Sequence, residues 1–479
     1  MSFTQSMNEC DQHFLLYIDM TKLQKNLEKA AEIIKRHEYA RVISHYDADG
    51  ITSVAIICTA LLRSGIQFHA TIVNKVERRL IEDLSEGLVI FCDMGTAHMD
   101  LILECLKEKD VVIIDHHVPL ISVPIPTSPT SSLVLVNPYC TSEEKEEIGG
   151  DICAAGISYL VARCLSTDGN NNIDLAGLAV AGSLGDKVAL DSGINKLILD
   201  EGINEGVISV KNGLKLGDGK IRDLIIFATD PYTPLAGRDE WVDAFLDKMS
   251  IDGDKDINDL DAGVESQLAD ALLAISKESA TGISEDALVG DTYILNSEVV
   301  KNSLDFMRLV DACGRFGKSG IGIGLCLREA KQIEDATSLH MQFQSKLVSE
   351  LGRIESEADV LKELQNMFFF YVHETGVTGV SSGILAEYLY TEKPVIALNK
   401  KDGAEDGKKS DTKISARCNK KHVTKEGRID LSKAMEQASK EVGGFGGGHP
   451  VAAGASIPNG TEEEFIAALD RILGEQNAS

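Results

Sequence analysis

The chain has 479 residues, 43% hydrophobic and 25% charged, with a formal net charge of −28. That length exceeds one compact core and predicts two or three domains, and the apolar content excludes a disordered chain. The acidic balance excludes a protein that coats nucleic acid by bulk electrostatics, and no apolar stretch reaches the roughly 18 residues needed to cross a bilayer.

From Met1 to Asp19 one short apolar run lacks the basic flank and cleavage pattern of a signal peptide, so a soluble, cytoplasmic protein is expected. The spacing of Leu23, Leu27, Ala30, Ala31 and Ile34 predicts an amphipathic helix within Thr21–Glu38. Short apolar runs then predict strands at Arg41–His45, Phe68–Val73, Leu88–Cys92, Val111–Ile114 and Leu133–Val136. Between and after them, helices are predicted at Thr52–Ser64, Met99–Lys107, Ile152–Leu165 and Asp174–Ala181. Alternating strands and helices predict an α/β domain with a mostly parallel sheet, whose ligands lie at the carboxyl ends of the strands.

From about Gly185 to Glu363 the pattern is more helical, with a long polar helix expected over Ala336–Leu364. Asp239 to Asp291 carries fifteen acids against Lys248, Lys255 and Lys277, which reads as a solvated face. The run Met367–Val372 opens a smaller C-terminal α/β unit, with strands at Pro394–Leu398 and Lys413–Cys418 and helices at Ile384–Leu389 and Glu462–Leu473. Lys393 to Arg428 reverses the charge, with eleven bases against five acids. The expected domains are 1–195, catalytic; 196–365, helical and connecting; and 366–479, substrate-binding. The ten cysteines are scattered without Cys-x-x-Cys spacing and read as reduced core residues.

Chemistry-bearing side chains collect at the predicted strand ends. His45, Asp47 and Asp49 alternate, so a strand persisting through them would point all three to one face, and Gly50 would let the chain turn into the next helix. Asp93 follows the third strand, Asp115-His116-His117 the fourth, and Asp186 ends a helix of small residues. Hard oxygen donors with imidazole suit Mn²⁺ or Mg²⁺, and a pair of such ions can stabilise both the attacking and leaving oxygens of a phosphoryl centre.

Near the other end, Gly443-Gly444-Phe445-Gly446-Gly447-Gly448-His449-Pro450 allows close approach of a phosphodiester chain. Lys413, Ser415 and Arg417 alternate onto one strand face, where a hydroxyl beside a guanidinium suits phosphate. Asp311-Ala312-Cys313-Gly314-Arg315-Phe316-Gly317-Lys318 lacks the first glycine of a nucleotide-binding loop; Arg315 is a candidate phosphate contact. Thr229-Asp230-Pro231-Tyr232-Thr233-Pro234 reads equally well as a proline-set turn.

The series His45-Tyr46-Asp47-Ala48-Asp49-Gly50, Asp93, Asp115-His116-His117 and Gly185-Asp186 resembles the four motifs of the DHH phosphoesterase superfamily. The resemblance implies that His45 and Asp47 hold one metal, that Asp49, His116 and Asp186 hold the other, and that Asp93 bridges. It further implies that Asp115 orients its neighbours and that His117 faces the phosphate. Many RecJ-type members begin the first motif with an aspartate where this chain has His45, so the division of ligands stays open. The Ser415-x-Arg417 strand and Gly446-Gly447-Gly448-His449 resemble the DHH-associated C-terminal domain, which binds the substrate backbone. Val377 to Gly383 is similar to that domain's opening. The Asp311–Arg315 and Thr229–Pro234 segments resemble stretches of RecJ proteins and of archaeal RecJ-like nucleases, respectively.

The expectation is therefore a two-metal, RecJ-like exonuclease specific for single strands of DNA and/or RNA, acting in replication or repair. An oligoribonuclease or cyclic-dinucleotide phosphodiesterase is the first alternative. A replisome scaffold is the second, because the resemblance includes relatives that associate with GINS and the replicative helicase. Bacterial RecJ enzymes carry a further OB-fold domain beyond the Gly-Gly-Gly-His region, where only Ala455 to Ser479 follow in this sequence.

Overall fold

The computed structural model of the protein describes residues 23–117, 132–139, 151–167, 169–279, 281, 283–357, 359–400, 411–422 and 429–478. The expectations for 1–19 and for parts of the basic stretch at 401–410 and 423–428 lie outside the described residues. The chain divides into two compact units, one of residues 1–211 and 291–340, the other of 212–290 and 341–479. Segments of the 196–365 stretch thus fall in both.

The first unit is built on five strands, β1 (Tyr39–Ser44), β2 (Gln67–Ile72), β3 (Leu88–Cys92), β4 (Asp110–Ile114) and β5 (Leu133–Val136). All neighbours are parallel, in the order β2-β1-β3-β4-β5. Side chains alternate across the sheet, and both faces are buried. Val42, Ile90, Cys92, Val112 and Ile114 join one core, while Ile43, Val89, Phe91, Val111 and Ile113 join another. The first core is shared with α1 (Leu23–Ile34), α2 (Ala48–Arg63), α4 (Ala154–Cys164) and α5 (Ala176–Gly185); the second takes Met99 and Ile102 of α3 (Met99–Cys105). This is the doubly covered parallel sheet expected from the sequence, with strand limits within two residues of those predicted.

One local expectation fails. The strand does not persist through His45, Asp47 and Asp49. It stops at Ser44, and α2 begins at Ala48 rather than near Thr52. Asp47 caps the helix, its carboxylate accepting the Gly50 N–H at 3.0 Å. Gly50 lies inside the first helical turn, where a Cβ would fall 2.4 Å from the His45 carbonyl oxygen.

A two-stranded sheet pairs β6 (Ile208–Leu214) with β7 (Val289–Leu295). Further along, α6 (Ser303–Arg315) returns to the first motif, and a Cβ on Gly314 would lie 1.6 Å from the Tyr46 carbonyl oxygen. The Asp311–Lys318 segment is thus the end of a packed helix rather than a phosphate loop, and its glycine permits backbone contact with the His45–Asp47 turn.

In the second unit, α7 (Ile333–Ser356, whose later residues belong here) ends eight residues before the predicted limit, and Lys362–Glu363 pairs instead as strand β8. Thr229–Pro234 is a packing segment. Thr229 Oγ1 donates to Gln344 at 3.1 Å, Tyr232 OH to Glu355 at 2.7 Å, and Tyr388 OH to Asp230 at 2.9 Å. A six-stranded sheet runs β12-β13-β11-β10-β9-β8, with β9 (Phe368–Tyr371), β10 (Val395–Asn399), β11 (Asp411–Arg417), β12 (Phe445–His449) and β13 (Ala452–Pro458). Only β9–β10 is parallel. α8 (Thr378–Ile384), continuing as a π-helical turn over Leu385–Leu389, packs on β10 and β11; α9 (Leu431–Glu441) and α10 (Glu462–Ala478) close the other face. No helix among the described residues is long and apolar enough to cross a membrane.

Gly314→Ala should force α6 away from the His45–Asp47 turn and cost about 1–3 kcal/mol of stability, as overpacking does. Chemical denaturation with a parallel Mn²⁺ titration checks this; wild-type stability together with wild-type metal affinity would refute it.

Candidate metal centre

β1 and β3 are neighbours although β2 lies between them in the chain, so the strand order reverses there. A crevice opens outside the carboxyl ends of the strands at such a reversal. His45 and Asp93 stand at that point, directly after β1 and β3. The buried Ser44 hydroxyl lies 2.7 Å from the Gly50 carbonyl and 3.0 Å from that of Cys92, tying the β1–α2 turn to the end of β3. Asp93 adopts φ 55°, in the left-handed region, while its N–H still donates to Ile114 O at 2.8 Å.

The six expected ligands come together. His45 Nδ1 lies 2.8 Å from Asp47 Oδ2 and 3.5 Å from Asp93 Oδ2. His116 Nε2 lies 3.3 Å from Asp93 Oδ1, 3.2 Å from Asp186 Oδ2 and 3.8 Å from Asp49 Oδ2. Three overlapping groups each place one donor atom per residue within 4.8 Å of the others: His45–Asp47–Asp93, Asp49–His116–Asp186 and Asp93–His116–His117. The donors are carboxylate oxygens and imidazole nitrogens without a thiolate, a set that fits Mn²⁺ or Mg²⁺.

Asp49, Asp186 and the loop after β4 are held from behind. Both oxygens of buried Asp49 accept backbone N–H groups at the start of α4, from Ala154 and Ala155, at 2.8 Å each. On α5, a Cβ at Gly182 would sit 2.4 Å from Ala155 Cβ and 2.9 Å from Asp49 Oδ1, so glycine lets that helix carry Asp186 close. Asp115 is buried and faces inward. Its Oδ1 accepts from His116 N (2.8 Å), His117 N (3.2 Å) and His117 Nδ1 (2.7 Å), and its Oδ2 from Thr96 N (2.8 Å). Asn137, after β5, donates to Thr96 Oγ1 at 3.0 Å and to His117 O at 2.8 Å.

Ser44, Thr96 and Asn137 were not among the expected site residues. Asn137 carried the same signal as the ligands, a polar side chain directly after an apolar strand. The bracing contacts of Ser44 and Thr96 form only in three dimensions.

Burial and the charge of Asp93 push the Asp49 carboxyl up to about 7, and burial with the charge of Asp49 takes Asp186 up to about 7. Burial and Asp47 raise Asp93. For His45, burial opposes the imidazolium, but Asp47 and Asp93 together outweigh it and take it to about 11. Burial works against the Asp115 carboxylate too, yet the hydrogen bonds and charges of the histidines hold it below the usual range. His117 is raised in return, burial being outweighed by Asp115.

In the second unit, Ser415 Oγ accepts from Arg417 Nη1 at 2.8 Å, beneath Gly379 of α8, whose missing Cβ would meet Arg417 Nη2 at 3.1 Å. The glycine segment is an ordered edge strand, β12. Gly446 and Gly448 are required by packing, since Cβ atoms there would lie 2.7 Å from Met435 O and 2.7 Å from Ala452 O. Only Gly447 of the three has no heavy atom within 4 Å of its Cβ position. Arg315 pairs with Asp311 on α6, and the charge of Asp47 also raises its guanidinium against the effect of burial.

The chain matches the family models "DHH family, N-terminal domain" over residues 40–183 and "DHHA1 domain" over residues 365–475. An uncharacterized protein of Methanocaldococcus jannaschii is 30% identical over 471 residues, 95% of this chain and 99% of that protein. The single-stranded-DNA-specific exonuclease RecJ of Thermus thermophilus is 29% identical over 207 residues, 40% of this chain and 29% of its own length. Its crystal structure in complex with Mn²⁺ superposes with a TM-score of 0.56 at 17% identity, covering 94% of this chain and 55% of that one. CDC45 of Entamoeba histolytica superposes with a TM-score of 0.63 at 14% identity, covering 94% of this chain and 99% of that one. The chain therefore spans about half of the Thermus RecJ structure.

The two family matches together cover more than half of the chain. This chain belongs to that superfamily and is a RecJ-like member of it.

Metal ligands must be deprotonated to bind. Asp49 and Asp186 take up protons as the pH falls through about 7, so Mn²⁺ affinity should weaken below that value and strengthen above it. Binding should also release protons. Calorimetry in buffers of different ionisation enthalpy measures both, and an affinity constant between about pH 5.5 and 8.5 would contradict the assignment.

Proposed function

We propose that the chain is a metal-dependent exonuclease specific for single-stranded DNA and/or RNA, hydrolysing phosphodiester bonds in replication or repair. One observation carries the reading. Asp93 presents Oδ2 to His45 at 3.5 Å and Oδ1 to His116 at 3.3 Å, so two ligand sets meet at a single carboxylate. In this reading His45 and Asp47 hold one divalent cation, Asp49, His116 and Asp186 a second, and Asp93 is shared. When bound, such a pair would supply Lewis-acid stabilisation of the phosphate and would lower the pKa of a water nucleophile.

The chain's own groups do the rest. Asp115 fixes the His117 ring through Nδ1 and favours its protonated form, the form that would present positive charge to a phosphate oxygen. The buried walls around Asp49 and Asp93 exclude bulk water and keep the local dielectric low, which strengthens every charge interaction there. Ser415, Arg417, Gly446, Gly447, Gly448 and His449 would bind the strand's backbone, with Arg315 a further phosphate contact. We assign 1–195 to catalysis, 196–365 to connection and 366–479 to substrate binding. The likeness to the Thermus exonuclease supports the substrate class, and the Mn²⁺ bound in that exonuclease's crystal structure supports the choice of ion.

A second reading, a scaffold in a replisome with GINS or helicase components as partners, is favoured by the likeness to CDC45 across almost all of that chain. Strands labelled separately at each end, in DNA and RNA versions, test the nuclease directly and report polarity. Cleavage of dinucleotides alone would favour the oligoribonuclease or cyclic-dinucleotide alternative, and no cleavage in Mn²⁺ or Mg²⁺ would favour the scaffold.

His116→Ala should abolish cleavage with the melting temperature retained. Asp49→Ala should abolish it and also cost about 1–3 kcal/mol, because two buried N–H groups lose their acceptor. Full activity in either purified variant would overturn the ligand assignment. Arg417→Ala should weaken strand binding about tenfold or more, the scale of a lost charged hydrogen bond, while Mn²⁺ affinity stays at the wild-type value. Unchanged strand affinity would remove Arg417 from the phosphate contacts.

A further inference from the structure

The six-stranded sheet has one face packed and one face partly bare. Ile414, Ala416, Ala453, Ala455 and Ile457 point into a core with Leu431, Met435, Phe465 and Leu469. The alternate residues therefore point the other way. Register places them in three rows across β11, β13 and β12: Lys413–Ser456–Phe445, Ser415–Gly454–Gly447 and Arg417–Ala452–His449. With strands about 4.8 Å apart, the outer two stand about 10 Å from each other. Between them runs a floor of hydrogen, methyl and hydroxymethyl groups.

Phe445 sits at one end of this trough and is 61% exposed. Its ring takes no part in the core of the unit. Lys413 Nζ lies 5.9 Å from the ring centroid and 3.1 Å from Ser456 Oγ. Beyond them Asp411 accepts from Ser456 Oγ at 3.0 Å and closes that end with negative charge. An exposed aromatic beside a glycine-floored, cationic channel is the arrangement by which proteins bind single strands without reading sequence: bases stack on the ring and the channel follows the backbone.

We propose that Phe445 is a stacking platform for a nucleobase, with Lys413 on the adjacent phosphate. It acts together with the Arg417–His449 row, four residues or about 13 Å further along β12. That separation equals several nucleotides at about 3.4 Å of stacked rise each. The substrate class is therefore a strand long enough to engage both ends of the trough. The inference rests on the strand-binding role proposed above for this unit.

The test is equilibrium binding of a fluorescein-labelled 12-mer of deoxythymidine, followed by anisotropy without divalent metal so that cleavage plays no part. Phe445→Ala and Phe445→Leu should each weaken binding about tenfold, within the range of a lost base stack, whereas Phe445→Trp should retain it. An abasic site moved along the 12-mer should reveal one position whose loss weakens wild type but not Phe445→Ala. Leucine binding as well as phenylalanine, or no position showing that interdependence, would overturn the stacking role. If the wild type cleaves strands yet all variants bind alike, the inference fails and the nuclease reading stands. If Phe445-dependent binding occurs without any cleavage, the nuclease reading fails and the platform stands. If the wild type binds no strand, both fall.

Discussion

Asp47, Asp49, Asp93 and Asp186 crowd around two imidazoles, and this repulsive arrangement is the constraint on which the first unit is built. Like charges this close raise one another's pKa, and carboxylates leave water only at considerable cost. Three devices offset that cost. Histidines lie between the acids, the N–H groups that open α4 point at Asp49, and the cluster has the donors that a divalent cation would bind. The first two are visible as distances. The third follows from the donor set, because hard oxygen and imidazole groups convergent to within 4.8 Å are what such an ion binds.

Residues outside the six-residue cluster brace the site. Ser44 bridges two backbone turns, Asp115 spends both oxygens on fixing the loop after β4, and Asn137 ties that loop to the end of β5. Small residues then bring the remaining helices close: Gly182 admits α5 beside Asp49, and Gly314 admits α6 against Tyr46. The middle of the chain packs closely within both units. One of its helices buttresses the first motif, and the Thr229–Pro234 segment packs against α7 in the other unit.

The second unit packs one face of its sheet and presents polar and aromatic side chains on the other. Apolar residues of β11 and β13 face α9 and α10, while Lys413, Ser415, Arg417, Phe445 and His449 share the opposite side. Glycines in β12 serve both ends. Gly446 and Gly448 are demanded by the helix and strand against them, and Gly447 keeps the open face bare.

The alternation of strand and helix, the two covered faces of the first sheet and the side chains that gather at its strand ends were legible in the residues alone, because apolar period and strand-end polarity are local properties. His45, Asp93, Asp115 and His116 could be picked out for that reason. The geometry of the first motif could not. His45 and Asp47 meet, and Asp49 is placed near His116, through a turn and a helix cap rather than through strand alternation, because the strand ends at Ser44 and the helix begins at Ala48. Nor did the sequence distinguish glycines that pack from a glycine that faces solvent, or show that the 303–315 helix belongs beside Tyr46. Those choices rest on contacts between residues tens or hundreds of positions apart. Chain composition determined which chemistry was available; only the folded backbone decided which oxygens face which nitrogens, since that is a matter of ångströms between distant segments.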